Sequence, residues 1–290
     1  AQAILAQAFS GCPPWGLCLP PAMTALPAPT TFSIADGIAT ITFIGDGEGT
    51  LPWGTPVREH RWDPRTVAAV RMHLDDAAAD ESVCCVLVSG EGKFWCNGLD
   101  LNWVDSHSAA EVSEHNANLN ALFERVLTFP LPTVAALNGH WCAAGGMFGL
   151  CFDYRVMNAD AGFFFVPAID LGLVYSPFQI ELMKAKLPPH MHRKVIVFNS
   201  QRWTARQLVE ERVVDEAVPG VEVASAGKRL AQELRPKGRG GPRRAMAGIK
   251  STVYKQVIAA LRDDAGAGMM KMGGRSKGHA YAPPPPASRL

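Results

Sequence analysis

An α/β fold with parallel strand pairing is what this 290-residue chain predicts. Three observations carry that expectation. Short, continuously apolar runs stand at Val83–Val88 (VCCVLV) and Thr133–Leu137 (TVAAL), helical apolar spacing lies between them, and helix-start signals precede the helical stretches. A strand apolar at every position is covered on both faces, and helices alternating with strands supply the cover. A hydrophobic fraction of 48% against 19% charged residues is enough for a sizeable core, as two average domains or one α/β domain with a helical appendage.

In chain order, Phe32–Phe43 (FSIADGIATITF) reads as two short strands about a turn at Asp36-Gly37. Gly45, Gly47 and Gly49 follow with G-x-G-x-G spacing, and Pro52 and Pro56 deny them the helix that a dinucleotide site requires, so this stretch reads as a loop. Asp63 as N-cap and Pro64 at the first helical position open a helix with Val67, Val70 and Leu74 on one face. After VCCVLV, Ser108 and Glu111 form a capping box for a helix striped by Val112, Leu119, Leu122, Phe123 and Val126. TVAAL is the next strand, and Thr204 with Gln207 caps a helix running to about Val213. Beyond Pro219 helices are expected over Ala224–Leu234 and Ala245–Leu261. The intervening Arg235–Arg244 (RPKGRGGPRR) reads as a solvated linker, with contact to a phosphate-bearing ligand as the alternative.

Composition excludes several function classes. Twenty-eight basic and 27 acidic residues leave a net charge of +1, too little for a general nucleic-acid binder. No run approaches the roughly 18 apolar residues of a spanning helix, so no transmembrane segment is expected. The seven cysteines form no C-x-x-C pair, and Cys84, Cys85, Cys142 and Cys151 lie in apolar or glycine-rich stretches, which points to free thiols in a reducing compartment. His190 and His192 read as part of a solvated loop, and no metal site is expected. No P-loop occurs, and the one G-x-S-x-G match, Gly274-Arg275-Ser276-Lys277-Gly278, follows no apolar strand-like run as a nucleophile elbow would, which argues against nucleotide hydrolysis and serine hydrolysis.

The two ends differ from the middle. Residues 1–30 form an uncharged, proline-rich extension, and residues 276–290 a proline-rich tail ending in Ser288-Arg289-Leu290. That ending resembles the S-K-L peroxisomal address. The chain opens on Ala1, which suits a processed mitochondrial or plastid form, while Met23 is the alternative start.

Two segments have the grammar of a backbone anion site. Gly92–Leu101 (GKFWCNGLDL) follows VCCVLV, and Asn138–Gly146 (NGHWCAAGG) follows TVAAL. In each, small residues lead from a strand toward a helix, where backbone N–H groups are free and the helix dipole lies behind them. One donor from each loop can flank a single oxygen and stabilise developing negative charge.

Phe129–Leu173, together with GKFWCNGLDL and Thr204–Pro219 (TARQLVEERVVDEAVP), resembles the crotonase (enoyl-CoA hydratase/isomerase) superfamily, and within it the plant type of peroxisomal Δ3,Δ2-enoyl-CoA isomerase. The resemblance runs from Phe32 to Pro219 and loosely through the last helices. It implies an α/β, crotonase-like ββα spiral core over 31–219 and a C-terminal helical assembly region over 220–275. It also implies an acyl-CoA thioester as substrate or ligand with no other cofactor, and a homo-trimer or hexamer; a place in a larger hetero-assembly is the alternative, suggested by the proline-rich ends. The thioester oxygen is expected between the N–H groups of Leu99 and Ala144, with Cys96, Asn97, Gly98, Asp100, Ala143, Gly145, Pro167 and Ala168 as further substrate contacts.

The carboxylates of the family pattern are missing. Aligned on the resemblance, the first hydratase glutamate falls on Met147, where isomerases of the plant type are also apolar, which argues against hydration but not against isomerisation. The isomerase base falls on Ala168, within Pro167-Ala168-Ile169-Asp170-Leu171-Gly172-Leu173. Asp170, Asp100, Asp153, His140 and Glu181 remain as substitutes without positional support. Losing a general acid–base group costs about two to four orders of magnitude in rate. Three readings therefore stand: an acyl-CoA-binding protein with a degraded isomerase site, an active isomerase with another base, and a structural subunit.

Overall fold

The computed structural model describes residues 28–45, 47–50, 56–199 and 201–264. Most of the N-terminal extension, with Cys12, Cys18 and Met23, and the 276–290 tail with its Ser-Arg-Leu ending lie outside the described residues. In chain order the elements are β1 (Thr30–Ala35), β2 (Ile38–Phe43), β3 (Gly47–Thr50), β4 (Pro56–Glu59), α1 (Pro64–Ala79), β5 (Cys85–Gly90) and β6 (Phe94–Cys96). Then come α2 (Leu101–Ser106), α3 (Ala109–Leu127), β7 (Thr133–Leu137), β8 (His140–Cys142), α4 (Ala144–Cys151), β9 (Tyr154–Asn158) and β10 (Phe164–Phe165). The chain closes with α5 (Pro177–Lys186), α6 (Pro189–His192), α7 (Ala205–Glu210), β11 (Glu216–Val218), α8 (Val223–Leu234), α9 (Gly240–Val253) and α10 (Lys255–Asp264).

The main sheet has the order β1-β2-β5-β7-β9-β11. Only β1 and β2 pair antiparallel; the other neighbours are parallel. Asp36 and Gly37 have φ of 54° and 73°, which closes the two-residue hairpin that the sequence predicts. Asp63 accepts from the Thr66 N–H at 2.7 Å, and Ser108, Ser176 and Thr204 each close a capping box.

Strand alternation explains why the central strands are apolar throughout. Val86 and Val88 of β5 and Ala135 and Leu137 of β7 face one core, with α1, α3 and α4. Cys85, Leu87, Val134 and Ala136 face a second, closed by Val223, Ala226 and Ala231 of α8. Phe148 of α4 centres the first core, with ring centroids of Trp62, Phe152, Phe123, Trp95 and Phe43 at 4.8, 5.1, 5.5, 5.7 and 6.4 Å.

Several local expectations are corrected. The glycine stretch after β2 is not simply a loop: Gly47–Thr50 pairs antiparallel with Pro56–Glu59. The first buried strand begins at Cys85 rather than Val83. Helix α7 stops at Glu210, short of Val213, because Arg212 turns left-handed at φ 58°. The last helical stretch starts at Gly240 and breaks at Tyr254, whose N–H bonds back to Lys250 and Thr252 carbonyls. His190 and His192 lie in the short helix α6 rather than a loop, with the exposed His190 beside Glu211.

Arg235–Arg244 is not a solvated linker. It packs on the start of β5, where the Arg243 guanidinium donates to the carbonyls of Val83 (2.5 Å), Ala78 (2.8 Å) and Asp80 (3.2 Å). Farther along α9, Lys250 donates to Asp153 at 2.6 Å and to the Leu131 carbonyl at 3.1 Å, while Asp153 also accepts from the Thr133 N–H and hydroxyl.

The five described cysteines, Cys84, Cys85, Cys96, Cys142 and Cys151, are buried and free. Burial pushes the thiols of Cys85, Cys96 and Cys151 up to about 12 and raises Cys142 further. Above pH 9 the unfolded chain therefore sheds thiol protons that the folded chain keeps, and stability falls as pH rises. Lys186, pushed down to about 8 by burial, acts oppositely between there and its ordinary value, but it is one group against four. Urea unfolding under reducing conditions should show a midpoint that drops between pH 9 and pH 11; a flat or rising midpoint contradicts this balance.

Candidate active site

The small parallel sheet β6-β8-β10 brings the two glycine-bearing loops side by side. Cys96 pairs with Trp141, and Cys142 with Phe165, so the chain leaves β6 and β8 at neighbouring points on the same edge. Helix α4 then enters close behind: a side chain at Gly145 would put its Cβ 2.4 Å from the Cys96 carbonyl oxygen, a distance no real Cβ shows.

Each loop turns one amide outward. Trp62 donates to the Gly98 carbonyl at 2.8 Å and accepts from the Asp100 N–H at 3.1 Å. Leu99, between those partners, therefore has its own N–H on the side away from Trp62. Gly98 holds this turn at φ 88°, and its Cα lies so near the second loop that a Cβ there would sit 2.8 Å from the Ala143 Cβ and 3.2 Å from the Ala144 nitrogen. Ala143 has φ 51° and ψ −128°, an uncommon conformation for a residue with a side chain, and its own N–H is taken by the Phe165 carbonyl at 3.0 Å. Ala144 is the first residue of α4, so its N–H has no acceptor within the helix.

Leu99 and Ala144 line one cavity of about 500 Å³. Of the other expected contacts, Asn97, Ala143, Pro167 and Ala168 line it too, and so does Met147. Cys96, Gly98, Asp100 and Gly145 do not. Cys96 is buried in the core behind the loop, and Gly98 and Gly145 serve close packing. Asp100 caps α2, accepting from the N–H groups of Asn102 and Trp103 at 3.0 and 3.3 Å.

Ala168 is 6% exposed and begins a tight helical turn rather than continuing a strand. Its N–H donates to the Tyr175 hydroxyl at 3.2 Å, which in turn donates to the Val166 carbonyl at 2.6 Å. Burial pushes the Tyr175 hydroxyl up to about 12, so it stays protonated near neutral pH. The same turn swings Asp170 outward, where it is exposed and accepts from Asn199 at 2.5 Å. Asp153 is held by Lys250 and Thr133, and Glu181 accepts from Lys184 at 2.6 Å. His140 stacks on Phe163, and burial pushes it down to about 4. None of these four substitutes lines the cavity.

One carboxylate does, and sequence reasoning missed it. Glu59, at the end of β4, accepts from the Arg61 Nε at 2.6 Å and the Asn97 Nδ2 at 3.0 Å. Asn97 is tied in turn to Cys142, whose thiol donates to its Oδ1 at 3.0 Å. Nothing in Pro56–Glu59 signals a site; the chain just after it bonds to the first loop, with the Asn97 N–H donating to the His60 carbonyl at 2.7 Å and the Trp62 N–H to the Gly98 carbonyl at 2.8 Å, and this brings Glu59 there.

Comparison with known proteins identifies the family. Residues 63–271 match the family described as enoyl-CoA hydratase/isomerase. Enoyl-CoA delta isomerase 3 of Arabidopsis thaliana is 31% identical over 69% of this chain and 85% of its own length. Peroxisomal enoyl-CoA delta isomerase 2 of the same plant is 29% identical over 76% of this chain and 90% of its own. An enoyl-CoA hydratase/isomerase family protein of Pseudomonas syringae superposes with a TM-score of 0.71 at 22% identity, covering 83% of this chain and 98% of that one. A spiral α/β core with paired loops after successive parallel strands, matched over most of its length, places the chain in the enoyl-CoA hydratase/isomerase family, with the crotonase fold.

Proposed function

We propose that the cavity binds an acyl-CoA thioester with its carbonyl oxygen between the Leu99 and Ala144 N–H groups, in an isomerase site that has lost its base. One observation carries this reading. Leu99 and Ala144, each with an amide left without an intrachain acceptor in this loop arrangement, line one cavity whose wall has alanine at 168, where the resemblance places the isomerase base. The amides would stabilise the enolate formed when a C2 proton leaves, each such donor contributing about two to three orders of magnitude in rate. Moving the double bond also needs a group that carries that proton from C2 to C4, and the Ala168 methyl cannot. Trans-3-enoyl-CoA isomerisation by the unaltered protein is therefore expected to be weak or absent while acyl-CoA binding is retained. A direct isomerase assay beside a binding titration checks both halves.

Glu59 favours a second reading, in which isomerase activity survives on a displaced base. Its bonds to Arg61 and Asn97 occupy one carboxylate oxygen, Oε2. The Glu59→Gln variant separates the readings. If the site is degraded, the variant and the unaltered protein share the same low rate. A hundredfold or greater loss on substitution would assign the base to Glu59.

Assembly into a trimer, a hexamer or a larger hetero-complex is supported by exposed apolar side chains on the last helices, with Ile249 and Val253 one turn apart on α9 at 61% and 67% exposure. Peroxisomal residence accords with the Arabidopsis relative named as peroxisomal.

A further inference from the structure

The Arg235–Arg244 segment, folded onto the core instead of crossing solvent, builds a second concave site. Its closest approach is at Gly238, where any Cβ would fall 1.7 Å from the Cys84 carbonyl oxygen. Held there, the segment lines a cleft of about 950 Å³ with Arg235, Arg239, Arg243 and Arg244. Three backbone carbonyls fix Arg243, and the Arg239 Nε donates to the Cys84 sulfur at 3.0 Å. These partners orient the guanidinium groups without neutralising them. The Arg235 Nε is a buried donor with no hydrogen-bond partner among the described residues.

Two further features favour an anion. Helix α9, 14 residues long, starts at the cleft with Gly240 and has no side-chain cap, leaving the Gly240 and Gly241 amides at its positive end. The acidic groups nearby are fewer than the arginines. Asp36 is paired with Lys228 at 3.4 Å, Asp80 is bonded to the Ser82 N–H at 2.7 Å, and Glu81 is the third.

We propose that this cleft binds a ligand carrying a phosphate or pyrophosphate group, at a site independent of the acyl cavity. Guanidinium groups donate in pairs to phosphate oxygens, and free amides at a helix start add further donors. The cleft takes in Ser82 ahead of β5, whereas the acyl cavity is built on the loops after β6 and β8, which follow the other end of β5. The six residues of that strand separate the two ends by about 20 Å.

Titration calorimetry with sodium pyrophosphate at low ionic strength tests the proposal on the full chain. Saturable binding at one site is expected, weakened by added salt. It should also weaken at least tenfold in the Arg239→Ala/Arg244→Ala double variant, while acyl-CoA affinity stays unchanged. Both substituted side chains are exposed, and Arg244→Glu alone, at the surface of α9, provides a second variant if the double one fails to fold. Absence of saturable binding overturns the proposal, as does binding unaltered by both variants or displaced by acyl-CoA.

Discussion

Replacing Ala168 with glutamate is expected to raise trans-3-enoyl-CoA isomerase turnover by about two to four orders of magnitude, the usual worth of a general acid–base group. The position suits the change. Its backbone is αR, at φ −59° and ψ −41°, and the Tyr175 hydroxyl already holds the turn. The cavity, at about 500 Å³, has room for a longer side chain. Turnover in Ala168→Glu should rise with pH as the new carboxylate ionises. A variant that folds, binds acyl-CoA and stays inert would mean that more than a base is missing.

Phe148→Ala is expected to cost about 3–5 kcal/mol, a large part of the roughly 5–15 kcal/mol that holds an ordinary domain together. Phe148 lies among five aromatic rings from β2, the segment before α1, β6, α3 and the end of α4, none of which can follow the deleted ring. It also anchors the helix whose first amide belongs to Ala144. Acyl-CoA affinity should therefore fall together with stability. Urea unfolding measures the cost, and a loss below about 1 kcal/mol would show that the cluster repacks around the cavity.

Local chemistry made much of the fold legible. Asp63-Pro64, the Ser108 and Thr204 boxes and the Asp36-Gly37 turn each satisfy backbone groups within a few residues, and each appears where the sequence predicts. The departures depend on contacts distant in sequence or on conformations the residue type conceals. Arg212 adopts φ 58° with no glycine to announce it. Arg235–Arg244 looks like a linker because the contact that folds it, Gly238 on Cys84, spans most of the chain.

The candidate site was legible to a similar depth. Two strand-to-helix junctions with small residues marked the paired loops, and Asn97, Leu99, Ala143, Ala144, Pro167 and Ala168 line one cavity. A motif window also takes in neighbours that point elsewhere, which is why Cys96, Gly98, Asp100 and Gly145 fall outside the wall. Glu59 was invisible for the opposite reason: it reaches the cavity through backbone bonds between the chain that follows it and the first loop, with no motif of its own.

The central claim is that two backbone amides grip a thioester carbonyl where no competent base remains. Its most direct test is the carbon-13 signal of an acyl-CoA labelled at the thioester carbonyl, recorded free and bound to the unaltered protein. Paired hydrogen bonds from Leu99 and Ala144 would polarise the carbonyl, so the bound signal is expected to move downfield while the acyl chain remains unchanged over hours. A bound signal at the free position, or no bound signal at saturating protein, would contradict the account.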